Sequence, residues 1–320
     1  MMRLLFLLGL ATSFGAYASD YPLTVRSCDR DVTFQHAPQH AVSQDVNMTD
    51  MLLALGLRER MAGFSGITGW KTLQDPLREQ LAGLKEIAPR APSLENLVDA
   101  GTDLYFAGWN YGMRIGGPVT PQTLAPFGIP VYELSESCSF VMPRPAASFD
   151  DLYHDLDNLG RIFSVEKRAQ ALIEQTRQRV AAVRERLEGD LERPRVFIYD
   201  SGEDRPFTSG RLGMPQALIE AAGGRNIMDD VQASWTSVGW ESVVERNPEV
   251  IIIIDYGPTS WEAKREFLVN HPALRDVAAV HNLNIEVLSY LQATPSLHNA
   301  EALETLAQVL HPERFAEASR

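Results

Sequence analysis

The apolar and polar positions between Ser164 and Leu187 define one long helix, and the blocks on either side of it alternate helices with buried strands. Ala169, Leu172, Ile173, Val180, Val183 and Leu187 recur at intervals of three, four and seven, and only a period of about 3.6 residues places them on one stripe. Ser164 is suited to the N-cap, Glu166 to the positive helix start, and Arg184 and Arg186 to the last turns, with Gly189 closing the helix. At about 1.5 Å per residue it should run for more than about 30 Å, the width of a small domain. A surface helix within one domain would show the same periodicity. The similarity of the flanking halves distinguishes a strut between two lobes.

In the first half, Leu23-Thr24-Val25 and Val32-Thr33-Phe34 flank Asp29-Arg30-Asp31 as a β-hairpin. A helix with Met51, Leu52, Leu53 and Leu55 ends at Gly56, and Met61-Ala62-Gly63-Phe64 follows as a strand. Pro92-Ser93-Leu94-Glu95 begins another helix, with Ser93 as its cap. Asp103 to Gly108 is a buried strand, an unbroken apolar run from Leu104 on, as a strand covered on both faces requires. The stretch PQTLAPFGIPVYEL repeats the idea, with a helix to Gly128 and a strand from Ile129 to Leu134.

In the second half, Val196 to Asp200 is a strand, Ser201 to Gly213 a polar loop, and MPQALIEAAGGRNI a helix ended by Gly223-Gly224. Gly239-Trp240-Glu241 starts the next helix, Asn247-Pro248 breaks it, and Val250 to Ile254 is a fully apolar strand. MLLALGLRERM corresponds to ALIEAAGGRNI, and SLENLVDAGTDLYFAG to GWESVVERNPEVIIII, so that Glu95 falls on Glu241. The fold class is therefore α/β: two Rossmann-like lobes with central parallel sheets, joined by one long α-helix. The expected boundaries are a leader at 1–18, a first lobe at 19–145, a helical linker at 146–190 and a second lobe at 191–320.

Ligands of such sheets bind beyond the carboxyl ends of the strands, and two lobes leave a cleft between them. The residues at those ends include Trp109, Tyr111 and Arg114, suited to stacking on and pairing with a large polar ligand. The alternative is a packed loop whose Trp109 covers the core. Trp70, in FSGITGW, is a second candidate for the same rim. Arg205, Arg211, Trp235, Tyr256 and Tyr290 add the same residue types near other strand ends and loops.

Composition narrows the class. The chain has 320 residues, 45% of them hydrophobic, enough for two cores. Arg3, the apolar run from Leu4 to Leu10 and Ala16-Tyr17-Ala18 form an export signal with its cleavage site, so the mature chain is expected in the periplasm. A lipid anchor needs a cysteine just after the apolar run. Cys28 instead lies well inside the mature chain, so none is expected. A net charge of −13 argues against nucleic acid and against anionic lipid as partners. In an oxidising compartment the only two cysteines, Cys28 and Cys138, favour a disulfide, with two separate buried thiols as the alternative.

Six stretches in order, DMLLALGLRERMAG, PSLENL, LAPFGIPVYEL, LIEAAGGRNI, GWESVVERNPEVIII and HPALRDVAAVHNLNIEVL, give the chain a family resemblance. It resembles the periplasmic binding proteins of ABC importers for iron-siderophores and cobalamin, whose lobes are bridged by a rigid helix. The resemblance implies a monomer that captures a ferric siderophore in the cleft and passes it to the membrane subunits. It implies no cofactor of the protein's own, since the ligand is itself a metal chelate, and little lobe movement, since a helix lacks a hinge. It puts Cys28 near the first strand and Cys138 past the strand ending at Leu134, hence one intramolecular disulfide. It also gives Glu95 and Glu241 the role of the paired glutamates that meet arginines of the importer.

Other classes make different demands. No G-x-S-x-G, H-E-x-x-H, G-x-x-x-x-G-K or C-x-x-C is present, so an exported α/β enzyme has no motif to rest on. A free-metal site needs several His and carboxylate ligands. His36 and His40 are separated by Pro38, His154 reads as a helix-surface residue, and His271, His281, His298 and His311 are scattered. Cobalamin would use the same aromatics with fewer arginines, and haem would need an axial residue such as Tyr111 or Tyr256. The arginines favour the siderophore.

Overall fold

The computed structural model describes residues 21–71 and 77–316, so the leader read over residues 1–18 lies outside the described residues. Strands β1 (Leu23–Ser27) and β2 (Arg30–Phe34) form the expected antiparallel hairpin, pairing Leu23 with Phe34. The first sheet contains β3 (Ala41–Gln44), β4 (Met61–Ser65), β5 (Glu86–Ala88), β6 (Leu104–Trp109), β7 (Gly112–Met113) and β8 (Val131–Glu133). Its order is β5-β4-β3-β6, with β8 and the short β7 both against β6, and every pairing is parallel. All six residues of β6 are buried, as its apolar run demanded.

The second sheet takes β9 (Arg195–Tyr199), β11 (Arg225–Asn226), β13 (Val250–Asp255) and β14 (Ile285–Ser289) in the parallel order β11-β9-β13-β14. Between them in sequence, β10 (Phe207–Ser209) and β12 (Trp235–Ser237) pair as a separate antiparallel ribbon. The stretch expected to be a polar loop therefore holds a strand. Three residues, two of them Thr208 and Ser209, are too short and too polar to show alternation, yet both are buried.

The long helix spans Glu166–Arg186 and buries Ala169, Ile173, Thr176, Val180 and Val183. Thr176 fills the stripe where Leu172 is only half-buried, and its hydroxyl bonds back to the Leu172 carbonyl at 2.9 Å. Ser164 is not the N-cap. Its backbone is left-handed (φ 54°), its hydroxyl pairs with the Tyr21 hydroxyl, and Val165 occupies the cap position. Leu187 caps the other end, and Gly189 lies beyond it. The helix packs on the preceding one, Phe149–Ile162, where a Cβ at Gly160 would lie 2.5 Å from the Ala169 Cβ. Glycine is what allows that approach. Helices Met214–Ala221 and Asn299–Leu310 lie on the same strut. The largest apolar cluster runs from Val25 through Ile173 and Val180 to Leu310 and joins the lobes, while smaller clusters lie within each, around Tyr105 and Val131 in the first and around Phe197 and Ile251 in the second.

Cys28 and Cys138 are disulfide-bonded, with Cα atoms 5.2 Å apart. The bond ties the β1–β2 turn to the 3₁₀ stretch Ser135–Phe140 that follows β8.

Candidate functional site

The carboxyl ends of β6, β9 and β13 converge on one cavity of about 360 Å³. Its wall comes from both lobes: Trp70, Asn110, Tyr111, Arg114 and Phe140 from the first, and Asp200, Phe207, Ser234, Trp235, Tyr256, Tyr290 and Thr294 from the second. Trp70 is 40% exposed, a large apolar surface left open at the rim. Seven of the lining side chains are aromatic, and Arg114 is the single cation among them.

Three carboxylates hold the rings, Asp200 in the wall itself and Asp45 and Glu136 outside it. The Tyr111 hydroxyl donates to Glu136 Oε1 at 3.0 Å, Tyr256 to Asp200 Oδ1 at 2.8 Å, and Tyr290 to Asp45 Oδ2 at 2.9 Å. Each phenol is thereby oriented, and burial, reinforced by the nearby negative charge, pushes all three well above their ordinary range. Asp45 has left-handed backbone (φ 67°) and forms a buried ion pair with Lys71. The Lys71 ammonium lies 3.6 Å from the Tyr290 ring centre and 4.2 Å from that of Trp70, so cation–π attraction fixes both rings at the wall. Burial also lowers the Lys71 pKa, with Asp45 opposing the shift. Two of the carboxylates cross between lobes. Asp45 of the first takes Tyr290 of the second, and Glu136 takes the backbone N–H of Met214 at 2.6 Å, at the start of helix Met214–Ala221.

Of the expected ligand residues, Trp70, Tyr111, Arg114, Trp235, Tyr256 and Tyr290 share this cavity. Three do not line it. Trp109 ends β6 and is 6% exposed, and its indole N–H donates to Glu133 Oε1 at 2.8 Å. The alternative of a core tryptophan is the one realised, because Asn110 (φ 64°) turns the chain before Tyr111. Arg205 is exposed, sent outward by a tight turn in which its carbonyl oxygen crowds Gly202. Arg211 is half-buried and is not among the lining residues: its backbone is engaged by Val231 and Ala147, and its Nε is buried. Asp45, Glu136 and Asp200 were not expected at the site. Each lies within three residues of a strand's carboxyl end, so the rule that drew attention to Trp109 applies to them too.

The phenols bear on haem. A tyrosine ligates iron as its anion, and here Tyr111 and Tyr256 each hold their proton toward a carboxylate. Among the described residues no three His, Cys, Asp or Glu side chains come together to hold a bare metal ion.

A periplasmic binding protein family model matches residues 42–291. The chain belongs to that family. A periplasmic binding protein from Veillonella parvula superposes with a TM-score of 0.78 at 27% identity, covering 91% of this chain and 97% of the other. An ABC-type Fe3+-hydroxamate transport system structure from Saccharomonospora viridis gives 0.75 at 24% identity, covering 93% of this chain and all of the other (100%). Among sequences, the vitamin B12-binding protein of Yersinia pestis is 26% identical over 218 residues, 68% of this chain and 70% of its own length. The fold of this binding protein is thus shared with those structures. No helix among its described residues is long and apolar enough to cross a membrane.

Glu95 and Glu241 occupy equivalent places. Each is an exposed residue at the second position of its helix, Leu94–Asp99 or Trp240–Arg246, and each stands nine residues before the first residue of a central strand, Leu104 or Val250. Ser93 completes a capping box with Asn96, and its hydroxyl also holds the Glu95 carboxyl below its usual range.

Proposed function

We propose that this periplasmic binding protein captures a ferric siderophore of low net charge in the inter-lobe cleft and delivers it to an ABC importer in the inner membrane. The observation that carries this reading is the cavity wall, seven aromatic side chains from both lobes with Arg114 as the one cation. A chelate that already fills the coordination sphere of its iron needs stacking surfaces and few charges from the protein. With Arg205 and Arg211 off the wall, strongly anionic catecholate chelates lose their partners. Hydroxamate groups, which neutralise ferric iron, suit the site better. A cavity of about 360 Å³ is at the small end of the usual range for ligand pockets, about 300–1,000 Å³, and fits the core of such a chelate.

Cobalamin is the second reading, favoured by the same economy of charge and by the vitamin B12-binding relative. In either case the chain acts by binding, not by turnover, its three cavity phenols being committed to carboxylates. The lobes, taken as 19–145 and 191–320 around the helical stretch 146–190, share a core through the strut and should move little on binding. Glu95 and Glu241 then offer one carboxylate from each lobe to a pseudo-symmetric membrane partner.

Titration of intrinsic fluorescence separates the readings, because Trp70 and Trp235 line the cavity. Ferric desferrioxamine B is expected to quench emission saturably, and ferric enterobactin to bind at least tenfold more weakly. Saturable binding of cyanocobalamin or haemin, with no response to any ferric siderophore, would overturn the first reading.

A further inference from the structure

Glu136 is a buried acid with no ion-pair partner among the described residues, placed where the two lobes meet behind the cavity. One oxygen accepts from Tyr111, a wall residue of the first lobe, and the other from the Met214 N–H of the second. The buried indole N–H of Trp235, from the opposite wall, approaches the same carboxyl but completes no hydrogen bond of good geometry. The segment carrying Glu136 is held in turn by the Cys28–Cys138 disulfide and by Arg144, which donates to the Ser135 carbonyl. The chain thus spends a disulfide, a buried charge and a helix start on a single junction.

We propose that Glu136 is a positioning residue for ligand capture, whose carboxylate ties the Tyr111 wall to the Met214 helix of the other lobe and so fixes the width of the cleft. Each oxygen accepts one of these bonds, and both bonds are stronger to the charged carboxylate than to the neutral acid. The junction is then weakest when Glu136 is neutral, and ligand affinity falls as it is protonated. The groups facing it are Tyr111 from the turn after β6, the Met214 N–H and Trp235 from the second lobe, and Asp151 from helix Phe149–Ile162, itself paired with Arg144. Burial is the largest influence and Asp151 acts in the same direction, outweighing the three donors and pushing the carboxyl up to about 7.

The inference rests on the proposed function only for the choice of ligand probe, so its test has one arm without ligand. In the ligand-free protein, the emission of Trp235, isolated as the difference from Trp235→Phe, should titrate with a midpoint near 7 and lose that transition in Glu136→Gln. With ferric desferrioxamine B, wild-type affinity should rise as pH increases from 6 to 8. Glu136→Gln should bind at least about tenfold more weakly at pH 8 and show no such rise. Tyr111→Phe removes one of the donors that favour the charged form, so it should keep the transition but move its midpoint to higher pH. If Trp235 emission titrates identically in wild type and Glu136→Gln, the proposal fails, whatever binds. If the emission transition behaves as stated while the probe does not bind, the ligand reading fails and Glu136 keeps its place at the junction.

Discussion

Glu133, the last residue of β8, and Glu136, three residues beyond it, are both buried acids that accept from an aromatic side chain, yet they are built for opposite purposes. Glu133 takes the Trp109 indole, the Ser27 hydroxyl at 2.9 Å and the Arg30 guanidinium at 2.5 Å, all within the first lobe. Its charge is matched, and it cements the hairpin to the sheet. Glu136 has Tyr111 and a backbone N–H from the other lobe, and no arginine or lysine pairs with it among the described residues. A buried acid with a cation beside it is a fixed structural tie. One held only by neutral donors is sensitive to a proton.

The comparison breaks most visibly at Glu133. Glu133→Ala strands Arg30 and leaves the Trp109 and Ser27 donors without an acceptor, so unfolding in urea should show a loss of about 3–5 kcal/mol. A loss under about 1 kcal/mol would mean that Arg30, whose side chain is 26% exposed, is adequately served by water.

The next effect is the pH dependence of stability. Burial raises the Glu136 carboxyl from 4.5 to about 7. Between those values the unfolded chain has released a proton that the folded chain still holds, so stability falls as pH rises and levels off above about 7. The span attributable to Glu136 is at most about 3 kcal/mol. Asp155, raised by burial to about 6, contributes with the same sign at lower pH. Glu136→Gln should therefore flatten the upper part of the profile, between about pH 6 and 7, and leave the lower part. An unchanged slope in thermal melts across that interval would assign it elsewhere.

Smallest of all, on the isolated protein, is the effect of the exposed acids. Glu95→Lys with Glu241→Lys should leave melting and ligand titration as in wild type, because neither carboxylate bears on the cavity, but should abolish uptake in cells. Normal uptake by the double variant would reduce both glutamates to favourable charges at helix starts.

Much of this was legible along the chain. Ser93 read as a cap and forms one, the β1–β2 hairpin lies where its alternation placed it, and β6 and β13 are the apolar runs. The equivalence of Glu95 and Glu241 was legible because helix start and strand keep the same interval in both lobes. Trp109 and Tyr111 were not separable by residue type. Their difference depends on the left-handed turn at Asn110, a conformation asparagine tolerates without announcing it.

Short-range patterns along the chain encode the strut's stripe, the strand–helix alternation of each lobe, and the aromatic residues waiting at strand ends. Which of those aromatics face the cleft, and which acids hold them, depends on contacts between distant parts of the chain. Glu136 meets Met214 across 78 residues and Asp45 meets Tyr290 across 245. No local period records such a meeting. A carboxylate's role is set by its burial and by the sign of its neighbours, and both come into being only when the lobes close on the shared core.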